Sequence, residues 1–156
     1  MQILHTNRSK TELHAAVAQA MNREEFKNED RTIWEIAKNV DGNQGIAERA
    51  WFSTDNCPGG RGAVFFLVKG ADGVERLGAH GDFSPHGVDV ENAPWFDGSK
   101  RSRDADEFVA IFDPDEAKEI VDELSVETEK ADPYREQDYA QALMRIFLNA
   151  IRVPYF

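Results

Sequence analysis

The N-terminal part of the chain contains two stretches in which apolar residues recur at helical spacing. The first follows Ser9 and Glu12, which stand three residues apart as in a capping box, and the second follows Thr32 and Glu35 in the same relation. The two apolar stripes consist of Leu13, Ala16, Val17, Ala20 and Met21, and of Ile33, Ile36, Ala37 and Val40. The pattern predicts two helices, the second ending at residues 41–42.

In the middle of the chain the pattern changes to runs that favour β-strands. A continuous apolar run over residues 63–68 is typical of a central strand that is buried on both faces. Residues 46–54 and 108–112 predict further strands, and residues 74–77 are predicted to return as a hairpin partner after a glycine-rich turn. Residues 78–100 are rich in Gly, Pro, Asp and aromatic residues, which predicts a long ordered loop or short strands.

Two more helices are predicted near the C-terminus. Asp113 as N-cap, followed by Pro and by Glu116 in the first turn, predicts a helix over residues 114–128. The same Asp-Pro opening at residues 132–133 begins a final helix, which must end before Pro154.

This order of elements predicts an α+β fold in a single domain spanning residues 1–156. We expect a central, mostly antiparallel sheet of three to five strands, with two N-terminal and two C-terminal helices packed on it. The helices are expected to cover one face of the sheet.

Composition and the absence of certain segments in the sequence indicate the cellular compartment. The chain is 41% hydrophobic, which at this length supports a core without disulfides or metal ions. No apolar run approaches the roughly 18 residues that cross a bilayer, and the first residues lack the segments of a signal peptide. Cys57 is the single cysteine and cannot form an internal disulfide. We therefore expect a cytoplasmic protein that has no membrane partner and needs no cofactor.

The net charge of −11 is confined to one part of the chain. Residues 104–138 contain 14 acidic and 3 basic residues, whereas the other 121 residues contain 15 of each. Direct binding to nucleic acid is not expected, because affinity for phosphates comes from Lys and Arg. The helix dipole explains acidic residues in the first turn of helix 114–128, but not those that follow.

The acidic residues of that helix lie opposite its apolar stripe and form the first candidate site. Neighbours three or four residues apart on a helix are about 5–6 Å apart, so the row can resemble nucleic-acid phosphates or meet a basic protein surface. A solvated helix face is the alternative. The candidate partner-binding residues are Asp115, Glu116, Glu119, Asp122, Glu123 and Glu127.

A second candidate site lies in the predicted loop and consists of His80, Asp82, His86 and Asp89. Imidazole and carboxylate groups are usual ligands of zinc, manganese and non-haem iron, and the nearby glycines allow the chain to bend around an ion. The spacing matches no established metal motif, and His and Asp are also common in turns. A metal-binding domain or metal-dependent enzyme is therefore the alternative function.

Three further features are weaker candidates. The glycine-rich loop at residues 57–62 lacks the Lys-Ser/Thr of a phosphate-binding loop and leads into a strand. A basic cluster at residues 99–103 balances the neighbouring acids. Trp95, Phe96 and the apolar residues 153–156 offer a surface for self-association.

These observations favour a small, acidic, non-enzymatic binding protein. We expect an inhibitor or immunity-type protein whose acidic helical face docks onto a basic surface of a partner protein, including surfaces that normally bind nucleic acid. No set of catalytic residues is indicated, and nothing in the sequence indicates an oligomeric state.

Overall fold

The computed structural model describes residues 1–5, 9–37, 45–54, 62–83, 92–95, 106–130 and 136–153. The strands among them are β1 (Gln2–His5), β2 (Arg49–Thr54), β3 (Gly62–Lys69), β4 (Glu75–Phe83) and β5 (Asp106–Ile111). The α-helices are α1 (Lys10–Met21), α2 (Ile33–Ala37), α3 (Pro114–Lys130) and α4 (Glu136–Ala150), and a 3₁₀ helix spans Glu24–Lys27. The predicted α+β class is confirmed.

The five strands form one antiparallel sheet in the order β1-β5-β4-β3-β2. Strands β2, β3 and β4 are successive neighbours, and β1 is added beside β5 with Gln2 opposite Ile111. The hydrophobic pattern gives no signal for β1, because four residues are too few to show a periodicity. Its place is set by the free edge that β5 offers.

Helices cover both faces of the sheet, so the expectation of a single covered face is wrong. Alternate residues of β3 enter two separate cores, with Phe65 in one and Phe66 in the other. We call α1, the 3₁₀ helix and α2 the α1 layer, and α3 with α4 the α3–α4 layer. An apolar run without polar alternation needs cover on both sides, and the two pairs of helices provide it.

Local capping fixes where the first two helices begin. The Ser9 hydroxyl accepts a hydrogen bond from the Glu12 amide at 3.2 Å. Thr32 and Glu35 form the reciprocal capping box, since the Thr32 amide donates to the Glu35 carboxylate at 2.9 Å and the Glu35 amide donates to the Thr32 hydroxyl at 3.2 Å. Both predicted starts are confirmed, whereas the predicted end of the second helix at residues 41–42 lies outside the described residues.

Strand β4 is longer than the sequence pattern predicts. Residues 78–83 belong to it, as the alternative of short strands predicts, because residues 78–82 pair with β3 on one side and residues 78–83 pair with β5 on the other. Gly78 weakens the strand signal in the sequence, because glycine is uncommon in strands. The position requires glycine, since the ring of Phe66 packs against it and would collide with any side chain. Backbone pairing on both edges therefore outweighs the weak strand propensity of glycine.

The C-terminal helices agree with the predicted pattern. Helix α3 begins at Pro114 as expected and extends to Lys130, and α4 ends at Ala150, before Pro154. The predicted opening at residues 132–133 lies outside the described residues. Both helices turn apolar side chains toward the sheet, and this fixes the side that each presents to solvent.

Candidate functional site

The outer side of α3 carries the acidic residues that the sequence singles out. Ala117, Ile120 and Leu124 are buried against the α3–α4 core, and Val121 is half-buried beside them. Packing of this stripe fixes the rotation of the helix, so the opposite side faces solvent. The site is therefore positioned by a rigid element and not by a loop.

Four of the six predicted residues are exposed: Asp115, Glu119, Asp122 and Glu123. Within the described part of the chain, their side chains form no ion pair or hydrogen bond, and the same holds for Glu129. We call these five residues the acidic face. At a helical rise of about 1.5 Å per residue they extend over roughly 21 Å, about one charge per 4–5 Å, compared with one per about 3.4 Å along a DNA strand.

The other two predicted residues are engaged within the molecule, and Glu116 is the first of them. Its Oε1 accepts a hydrogen bond from the Met1 α-amino group at 2.8 Å, and its Oε2 lies 3.7 Å from Nη2 of Arg152. The Met1 amine also donates to Asp113 at 2.9 Å. These hydrogen bonds, that of Glu116 above all, raise the pKa of the Met1 amine, and the contact with the amine lowers the pKa of Asp113.

Glu127 is the second engaged residue. Its Oε2 lies 3.6 Å from Nη2 of Arg145 on α4, and its side chain is only 28% exposed. Arg145 and Arg152 are both exposed on α4 and its C-terminal turn. The side of α3 that borders α4 is therefore electrically balanced, and the unbalanced charge lies on the side turned away from α4.

One apolar side chain stands inside the acidic face. Val126 is 48% exposed and lies one helical turn from both Asp122 and Lys130. Single exposed apolar residues are common on protein surfaces. Here the neighbours are mostly carboxylates, so a partner surface would need an apolar contact surrounded by positive charge.

Two of the four predicted metal-binding residues fall on a strand, where a loop was expected. His80 and Asp82 belong to β4, and the His80 side chain is buried with 7% exposure. His86 and Asp89 lie outside the described residues, so the set as a whole stays a prediction. Among the residues that the structure describes, no three His, Cys, Asp or Glu side chains converge in a way that could hold a metal ion.

The structure describes only part of the three weaker candidate features. Residues 57–61 and 99–103 lie outside the described residues, and Gly62 opens β3. The Trp95 indole donates a hydrogen bond to the carbonyl of Ile151, which joins the segment 92–95 to the end of α4. Trp95 is therefore half-buried against its own chain, while Phe96 and residues 154–156 lie outside the described residues.

Sequence reasoning missed His14, a buried polar residue on α1. Its side chain is 2% exposed, and Nδ1 lies 3.0 Å from the carbonyl oxygen of Phe26. His14 directly follows Leu13 and stands three residues before Val17, so a wider apolar stripe on α1 was the available signal. Burial lowers the pKa of His14, and the nearby Phe26 carbonyl opposes that effect.

Comparisons with known proteins give no relative from which a role can be transferred. No protein-family model matches the chain, and neither the curated proteins nor the solved structures contain a significant match. Of the helices described here, none is both long and apolar enough to cross a membrane.

Proposed function

We propose that this chain is a non-enzymatic binding protein of the inhibitor or immunity type, which acts in the cytoplasm and docks the acidic face of α3 onto a basic surface of a partner protein. The observation that carries the proposal is the uneven pairing of charges on α3. Glu116 and Glu127 are neutralised by groups of the same molecule, while the acidic face has no cation bound to it in the described part of the chain.

The geometry of the helix supports a partner that normally binds nucleic acid. The acidic face is straight, rigid and negatively charged at a density close to that of a DNA strand. Such a surface increases the association rate with a basic groove through electrostatic steering. Val126 adds an apolar contact that nucleic-acid phosphates lack. This favours a specific protein–protein interface over a purely electrostatic contact.

The test is a capture experiment with one triple variant of α3 and a cell extract of the native host. Glu119→Lys, Asp122→Lys and Glu123→Lys in one protein should abolish capture, because the partner then meets positive charge. These side chains are exposed and lie opposite the buried stripe, so the fold should be retained. Capture by the unaltered protein should also weaken when NaCl rises from about 0.1 M to about 1 M, as the Debye length falls from about 10 Å to about 3 Å.

A matched control changes the net charge by the same amount elsewhere. Asp30, Glu48 and Glu75 are exposed, and their joint replacement by Lys should leave capture intact. Added double-stranded DNA should displace the partner if its groove is one for nucleic acid. Equal capture by the α3 variant and the unaltered protein at low salt would contradict the proposal.

A further inference from the structure

Both histidines that are buried in the described part of the chain lie on the side of the sheet that the α1 layer covers. His14 is on α1 itself. His80 is on β4, where its cross-strand neighbours Val64 and Val109 belong to the core under α1. Histidine is the side chain whose charge changes most readily near neutral pH, so a buried histidine that bonds one element to another can make that contact sensitive to acid.

His14 connects α1 to the 3₁₀ helix. A carbonyl oxygen can only accept a hydrogen bond, so the Nδ1 that lies 3.0 Å from the Phe26 oxygen must carry the hydrogen. In the neutral ring Nε2 is then the unprotonated nitrogen. Phe26 has no exposed surface, and its ring centroid lies 5.8 Å from that of Phe66 on β3. The histidine bond thus holds the turn that places Phe26 in the core.

Few charged groups are available to stabilise a protonated His14. Lys10 disfavours the charged ring and Glu29 favours it, but Glu29 already accepts a hydrogen bond from Thr11 at 2.9 Å. The 3₁₀ helix presents Glu24 paired with Lys27, and Glu25 paired with Arg23.

Of the side chains that the structure describes on the sheet beneath α1, Leu4, Val109 and Ile111 are apolar and His80 is polar. Burial disfavours a second proton on His14 more strongly than the Phe26 and Asn28 carbonyls and Glu29 favour it, so the charged ring is more stable when the layer opens to water.

We propose that His14 is a pH-sensitive contact of the α1 layer: when Nε2 takes up a proton from solvent, the packing of α1 on the 3₁₀ helix opens while the α3–α4 layer stays closed. The direction follows from proton linkage. A histidine in an opened segment has a pKa of about 6.5 and that of closed His14 is lower, so the open form binds the proton first as the pH falls. The closed form is thus favoured above about pH 6.5 and loses its advantage below it.

Backbone amide exchange, corrected for the intrinsic rate, tests this in the whole chain. Between about pH 7.0 and about pH 5.5, the opening constant of α1 amides should rise up to about eightfold, the limit for one proton per opening. The opening constant of α3 amides should rise less over the same pH range. In His14→Asn, whose amide can still donate to the Phe26 carbonyl but does not titrate, the rise should disappear.

His80→Asn is the matched control and should keep the acid response of α1. An unchanged response in His14→Asn, a response lost only in His80→Asn, or an equal rise in α1 and α3 overturns the proposal. If His14→Asn does not fold, the proposal is tested instead by an NMR titration of the His14 ring in the unaltered protein. A neutral ring down to about pH 5.5 supports the proposal, and ordinary titration near pH 6.5 with unmoved α1 amides overturns it.

Discussion

At the scale of single residues, tertiary contacts decide features that local sequence hides. The exposed carboxylates Glu119 and Glu123 follow from helical phase alone and were predictable. The engagement of Glu116 was not, because its partner Met1 is 115 positions away along the chain. The role of Gly78 was hidden for the same reason, since the ring that requires a glycine there comes from Phe66 on the neighbouring strand.

Gly78→Ala should destabilise the protein. A methyl group at this position would overlap ring atoms of the fully buried Phe66, and such overpacking typically costs about 1–3 kcal/mol. Urea unfolding of the variant measures the loss.

The origin of that loss can be checked in a double-mutant cycle. Phe66→Leu removes the ring, so Gly78→Ala should cost clearly less in that background than in the unaltered protein. Strictly additive losses would show that the overlap is not the cause.

At the scale of elements, some properties of helix α3 follow from the sequence and others do not. Its start and its buried stripe follow from the Asp-Pro opening and from 3.6-residue periodicity. Its pairing with α4 does not, because neither pattern specifies which flank lies beside Arg145. Only the packed structure separates Glu127, which is bound to that arginine, from the exposed Glu123 one turn earlier.

Single neutralisations on α3 should therefore differ in effect. If the acidic face docks as proposed, Glu123→Gln should weaken capture of the partner, because it removes one of the exposed charges of that face. Glu127→Gln should leave capture nearly unchanged and cost at most about 1 kcal/mol of stability, since its ion pair with Arg145 is partly exposed.

Capture assays and thermal unfolding on the two variants separate the effects. If Glu127→Gln reduces capture as strongly as Glu123→Gln, the docking surface extends to the flank beside α4.

At the scale of the whole molecule, the acidic face and the buried histidines lie on opposite sides of the sheet. The sheet separates the side on which His14 and His80 are buried from the side on which α3 presents the acidic face. The sequence predicted the antiparallel sheet and its helices, but not their division between two faces. A helix stripe shows only that a helix is buried on one side, and chain connectivity then decides which face of the sheet it covers.

The unfolding free energy should rise with salt, because screening reduces the repulsion among the clustered carboxylates. A triple variant with Glu119→Gln, Asp122→Asn and Glu123→Gln should show a smaller rise between about 0.02 M and about 0.5 M NaCl. The difference between the two proteins should stay below about 1 kcal/mol, since each like-charge helical pair costs a few tenths.

Urea unfolding at both salt concentrations measures this difference directly. Identical salt dependence of the two proteins would place the repulsion elsewhere in the molecule.

The position of β1 at the edge beside β5 has a consequence for synthesis on the ribosome. Residues 2–5 are translated before the other strands described above, yet their pairing partners end at Ile111. At about 5–20 residues per second, the nascent β1 must wait roughly 5–20 s before β5 exists. Strands β2, β3 and β4 can meet as neighbouring hairpins during that interval, so β1 is translated before these three strands but pairs in the sheet after them.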